Sequence, residues 1–170
     1  MGAAAGRATA LAVVVALALG ACATRGIVDG VYHARAGYRV TLPGPTWVRA
    51  EDSRADLELR HRTAAAGILV NAACDPAVAR RDAEVLARHL LFGLRDRSVV
   101  EVGEMPVNGR VASHRVLEGR MQPSDERVRV ESYTLKGDRC VYDLLYVAAP
   151  DVFDAWRGDF RRFVESFAGE

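Results

Sequence analysis

The chain has 170 residues, 23 basic and 22 acidic side chains, and a formal net charge of +1. One domain fits that length, and an apolar half is ordinary for a globular core. The near-neutral balance excludes a nucleic-acid binder, which would carry a visible basic excess. Lys136 is the only lysine. The arginines are interleaved with acidic residues throughout, which argues against a fork cluster built for phosphate.

Residues 1–7 hold one charge, Arg7, and Ala8 to Leu19 form a run of 12 residues without a charge. A helix needs about 20 apolar residues to span a bilayer, so this run has the length of a signal-peptide hydrophobic region. Leu19-Gly20-Ala21-Cys22 follows. The segment resembles the lipobox of bacterial lipoproteins. The resemblance implies diacylglycerol on the Cys22 thiol, cleavage just before it, and an acyl chain on the new amine. The alternative is an ordinary secretory signal cut nearby, or an uncleaved anchor. Two or three acyl chains make a stable attachment, unlike one. Ala23 in place of Asp after the cysteine goes, in the enterobacterial members, with sorting to the outer membrane. The expected organisation is therefore a signal at 1–21, a lipidated cysteine and short tether at 22–27, and one domain at 28–170. Removing residues 1–21 removes only Arg7, which leaves 22 charges of each sign.

The tether is short, with no Pro- or Ser-rich stalk before Ile27, so the domain is expected to sit close to its membrane. Tyr38, Val40 and Leu42 alternate with Arg39 and Thr41 until Pro43-Gly44-Pro45 breaks the strand. Trp47-Val48 and Leu57–Leu59 read as further strands, and the continuous run Ile68–Ala73 as a central one. Asp75-Pro76 predicts a helix start, Asp as N-cap and Pro in the first turn. Ala79, Ala83, Leu86, Leu90 and Leu94 recur on one helical face. A meander follows: Ser98–Val102, an Asn108-Gly109 hairpin turn, then Val111–Leu117, Arg127–Leu135 and Arg139–Ala148. Gln122-Pro123-Ser124-Asp125 and Lys136-Gly137-Asp138 supply the other turns. Pro150-Asp151 opens a last helix with an aromatic face of Phe153, Trp156, Phe160, Phe163 and Phe167.

Strands, helix, antiparallel strands and helix make an α+β fold, a largely antiparallel sheet with helices packed on it. Two segments, GYRVTLPGPTW (37–47) and YDLLYVAAPDVFDAWRGDFRRFVESF (142–167), resemble the PsbP-like fold. That fold is named for an extrinsic subunit of the photosynthetic oxygen-evolving complex and is shared by small bacterial lipoproteins. The resemblance implies an α/β/α sandwich over most of residues 31–167. It also implies an assembly or binding factor rather than an enzyme. It carries over no functional residue.

Chemistry-bearing motifs are sparse. His33, His61, His89 and His114 have no second ligand at metal spacing. No Gly-x-Ser-x-Gly elbow holds any of Ser53, Ser98, Ser113, Ser124, Ser132 or Ser166. No catalytic residue, metal or cofactor is expected beyond the acyl chains on Cys22. Tyr142 and Tyr146 share a strand face with Cys140 and Leu144, which reads as core packed on a helix. Arg157, Arg161 and Arg162, diluted by Asp154, Asp159 and Glu165, read as a solvated face. Lipidation of Cys22 leaves Cys74 and Cys140 as an even pair in an oxidising space, where such pairs join. Each stands at the end of an apolar strand run, so antiparallel neighbours would bring them together. The alternative is two buried thiols used as small apolar residues. The function expected is a non-catalytic module of the cell envelope, facing the periplasm. Its partners are the membrane through its lipid and another envelope protein, with no nucleic acid. A small enzyme or ligand carrier is the alternative.

Overall fold

The computed structural model describes residues 26–82 and 93–169. The strands are β1 (Gly26–Val28), β2 (Val31–His33), β3 (Tyr38–Thr41), β4 (Trp47–Arg49), β5 (Leu57–His61), β6 (Ala66–Ala73), β7 (Leu94–Val107), β8 (Arg110–Met121), β9 (Glu126–Lys136), β10 (Val141–Ala148) and β11 (Ala168–Gly169). The helices are α1 (Pro76–Ala79) and α2 (Phe153–Glu165). All but the three first strands and the last form a seven-stranded antiparallel sheet, ordered β4-β5-β6-β10-β9-β8-β7. The run expected as a central strand, β6, lies inside it, paired with β5 and β10. The first three described strands and the last make a second sheet, ordered β1-β2-β3-β11. That small sheet joins residues far apart in sequence, so local periodicity does not announce it.

Along β10 the side chains divide cleanly, because successive strand residues point to opposite faces. Tyr142, Leu144, Tyr146 and Ala148 enter the main core, and Leu145 and Val147 enter a smaller cluster on the other face. The main core is closed by α2, whose Phe153, Phe160, Phe163 and Val164 are buried at the helical spacing of one face. Tyr146 is completely buried, stacks on Phe160 at 5.5 Å between ring centres, and donates its hydroxyl to the Phe153 carbonyl at 2.9 Å. The tyrosine stripe read from the sequence is therefore core. The helix begins two residues later than Pro150-Asp151 suggests. Val152 takes the N-cap position without a side-chain hydrogen bond, and Asp154 supplies the acid of the first turn, where a negative charge favours the helix dipole.

The Asn108-Gly109 pair forms the expected hairpin turn. Asn108 and Gly109 have φ of 47° and 77°, as a tight two-residue hairpin requires, and Val107 pairs with Arg110 across it.

The first predicted helix departs from expectation. Asp75 does cap it, accepting from the Ala77 amide at 2.6 Å, but α1 as described ends at Ala79. Ala83, Leu86 and Leu90 lie outside the described residues. Leu94, expected on the same helical face, opens β7 instead and is buried opposite Met121. Its side chain lies on Gly119, where a Cβ would stand 2.6 Å from the Leu94 Cγ. Tertiary packing against a glycine, invisible to a helical period, decides that residue. The strand expected at 98–102 is correspondingly the middle of a 14-residue one.

Candidate interaction surfaces

The two cysteines are placed by β6 and β10. Ala73 pairs with Val141, so Cys74 and Cys140 follow at the same end of two antiparallel neighbours. They form a disulfide across 66 positions. Cys140 is buried against the main core and Cys74 is exposed. In the chain-entropy account a loop of that length is worth about 4 kcal/mol. Cys22 lies outside the described residues.

A charged cluster sits between the sheet and α2. Glu131 on β9 is wholly buried. Its carboxylate lies 2.9 Å from His114 Nε2 and 2.8 Å from Arg157 Nε, with Arg161 at 3.6 Å. The Tyr133 hydroxyl donates to it at 3.2 Å, and Arg157 reaches on to Glu101 of β7 at 2.9 Å. Burial alone would raise the Glu131 pKa, but the hydrogen bonds from His114 and Arg157 outweigh it and hold the group at about 2. Arg157 is correspondingly raised. This corrects the solvated reading for Arg157: only 18% of its side chain is exposed, and it pins α2 to the sheet. The partners are drawn from positions 101, 114, 131, 157 and 161, a spacing no sequence pattern links. A buried carboxylate satisfied on both oxygens by cations is held in one protonation state, which suits a brace better than an acid or base.

The remaining histidines are scattered. His61 is buried between Trp47 and Trp156, ring centres 5.1 and 3.9 Å away, and its Nδ1 accepts from the Ala64 amide at 3.1 Å. His33 lies on β2 at a surface recess. His89 is outside the described residues. Among the described residues no three His, Cys, Asp or Glu side chains are grouped to hold a metal. Ser132 is buried inside β9; it faces away from α2, opposite Leu145.

On that second face lies a cleft of about 640 Å³, lined by Leu69, Met121, Val128 and Val147 with Arg60 and Arg127 at its rim. Arg60 is held by Glu58 at 2.7 Å. The outer strand β7 presents a different surface. From Arg95 to Pro106 every residue is exposed. Val99, Val100, Val102 and Met105, with Val111 on β8, are five of the seven large apolar side chains exposed among the described residues.

With this geometry the chain is similar to several solved structures. CyanoP, the cyanobacterial PsbP of Synechocystis sp., shares 16% identity at a TM-score of 0.56, over 89% of this chain and 99% of that one. The fold is PsbP-like. LpqN of Mycobacterium tuberculosis, described as involved in cell envelope biogenesis, superposes at a TM-score of 0.58 with 14% identity, over 79% of this chain and 84% of its own. PA94 of Pseudomonas aeruginosa, a protein of unknown function, gives 0.53 with 8% identity, over 73% and 81%. No family model matches the chain, and no curated protein matches it. The expectation drawn from the two quoted segments thus holds for the fold.

Proposed function

We propose that the mature domain is a non-catalytic binding module of the cell envelope, carried on its membrane by acyl chains on Cys22. It captures another envelope protein through the outer strand of its large sheet. The observation that carries this reading is the bare apolar surface of β7 and β8 on an otherwise closed core. Val99, Val102 and Val111 share the sheet face away from α2, and exposed apolar side chains grouped on one face mark an interaction site more often than an accident of composition. Glu104 stands among the valines, so the partner segment it suits is apolar with a basic residue. The short Ala23–Gly26 tether and the lipobox support the anchor, and the likeness to LpqN supports the compartment.

Photocrosslinking in the native host tests it. A photoreactive residue at Val99, Val102 or Val111 should give one adduct with one envelope protein, and the same residue at Asp138 should not. The adduct should vanish when Val102 becomes Asp. Adducts that are equal at all positions would sink the proposal. Cys22→Ala should abolish acylation and release the domain from the membrane fraction; retention of both would remove the anchor. The cleft at Leu69 and Val147 favours a second reading, a carrier of a small ligand. A thermal upshift that depends on a cleft substitution such as Val147→Trp would support it.

A further inference from the structure

The position of β1 has a consequence for how the domain meets its membrane. Cys22 precedes Gly26, the first residue of β1, by four positions. Fully extended, that stretch reaches at most about 14 Å. A sulfur carrying diacylglycerol sits at the level of the lipid headgroups, so the surface around Gly26 is held within that distance of them.

What the domain presents there is suited to a bilayer. β1 is the outer strand of the small sheet, with β2 on one side of it only. Its Ile27 and Val28 are 43% and 40% exposed. They are the two exposed large apolar side chains, among the described residues, that do not belong to the β7–β8 surface. Beside them a recess of about 350 Å³ is lined by Gly26, Tyr32, His33, Arg35, Arg49 and Asp56. Asp56 is engaged within the protein: its carboxylate accepts from the Ala72 amide at 2.7 Å and its carbonyl from the Tyr32 hydroxyl at 2.6 Å. Arg49 lies over the Tyr32 ring, 5.6 Å from its centre. Two guanidiniums, Arg35 and Arg49, therefore line this recess against one carboxylate, Asp56. Guanidinium forks match phosphate oxygens, and apolar side chains next to cations are the usual make-up of a surface that lies in the interface.

We propose that the β1–β2 edge is the face the domain lays on the bilayer, with Ile27 in the interface and Arg35 and Arg49 against the phosphates of anionic phospholipid. The proposal rests on acylation of Cys22. It also leaves the other surface free. The far strand of the small sheet, β11, lies beside the β7–β8 turn, where Asn108 donates to the Phe167 carbonyl and Arg110 to that of Gly169. Laying β1 on the membrane thus turns the β7 surface toward the aqueous side.

The test uses the acylated protein in vesicles of phosphatidylethanolamine with a minority of phosphatidylglycerol, its N-terminal peptide first weighed to establish the acyl chains. With Cys74 and Cys140 joined and Cys22 acylated, a single nitroxide goes on Ile27→Cys, and in a second sample on Val102→Cys. The label at 27 should be shielded from an aqueous nickel complex and open to membrane-dissolved oxygen; the label at 102 should be the reverse. Replacing Arg35 by Glu, or omitting phosphatidylglycerol, should lower the ratio of docked to undocked domain, by about fivefold for each cation lost near the surface. If the acyl chains are present and the label at 27 is as exposed as that at 102, the proposal is overturned and the anchor stands. Shielding that disappears at one protein per vesicle would overturn it too, because a second copy then covers β1. An unacylated N-terminal peptide would overturn both readings.

Discussion

The seven-stranded sheet is covered along its middle and bare along its outer strand, and the two regions are built from similar residue types. Over β9 and β10, Tyr133, Leu135, Tyr142, Leu144 and Tyr146 lie on the core face closed by α2 and are buried nearly completely. Along β7, three valines and a methionine of the same hydrophobicity stand 41% to 65% exposed. What differs is the partner. α2 brings four aromatic or branched side chains and two arginines to the inner strands, whereas β7 has β8 beside it on one side only. Residue type therefore does not decide burial here; what packs against each strand face does. Where α2 lies, it is held by packing and by the Glu131 cluster. Where it is missing, the apolar surface is available to another molecule.

The contrast can be broken most strongly from the covered side. Phe160 is fully buried between Tyr146, Tyr133 and Phe163. Phe160→Ala should cost about 4 kcal/mol through lost transfer energy and the cavity left behind, measured by urea unfolding. A loss near zero would mean that α2 is not what closes the core.

Next in size is the charge brace. Glu131→Gln leaves Arg157 and Arg161 without their buried counter-charge and should cost about 3 kcal/mol at neutral pH. The sign of its pH dependence follows from the depressed pKa. The folded carboxyl titrates at about 2 against an ordinary 4.5, so its stabilisation is complete above pH 4.5 and is lost as pH falls through about 2. Chemical unfolding of parent and variant across that window should converge at the acid end.

Asp143 sharpens the comparison from the sheet's other face, with the opposite sign. Burial lifts its pKa to about 6 from 3.8, against the hydrogen bond from Thr134, donated at 2.7 Å. The folded state therefore binds its proton more tightly, and stability rises as pH falls from about 6 toward 3.8. Asp143→Asn should remove that slope and stabilise the domain by about 2 kcal/mol above pH 6. A variant less stable than the parent at neutral pH would show that the charge has a compensating partner.

The smallest effect is expected on the bare strand. Val102→Asp should change stability by less than about 0.5 kcal/mol, as for other exposed positions, while abolishing capture of the partner. A large loss of stability would mean that β7 is covered within the folded chain itself.

Patterns carried by neighbouring residues are legible in the sequence itself. The apolar run of β6, the two-residue period of β10, the Asn108-Gly109 turn and the aromatic face of α2 each rest on residues a few positions apart or on a fixed period. The Cys74–Cys140 bond is legible for a related reason: each cysteine closes an apolar strand, and antiparallel neighbours bring such ends together. The acylation proposed at Cys22 rests on the run before it alone, outside the described residues.

Other features depend on the tertiary structure alone. The small sheet joins residues 26–41 to residues 168–169, and the Glu131 cluster gathers six side chains from three strands and a helix. Leu94 fits a helical stripe as well as a strand, and its pairing with Met121 and its packing on Gly119 place it in the strand. Arg157 reads as solvated because its flanking acids are near in sequence, whereas its partners, Glu101 and Glu131, are near in space. Local sequence determines the conformational period of a segment and the residue types on each face. Which faces are covered, and which charges meet, depends on chain elements separated by tens of residues, and their pairing is settled only when the sheet and α2 close on one another.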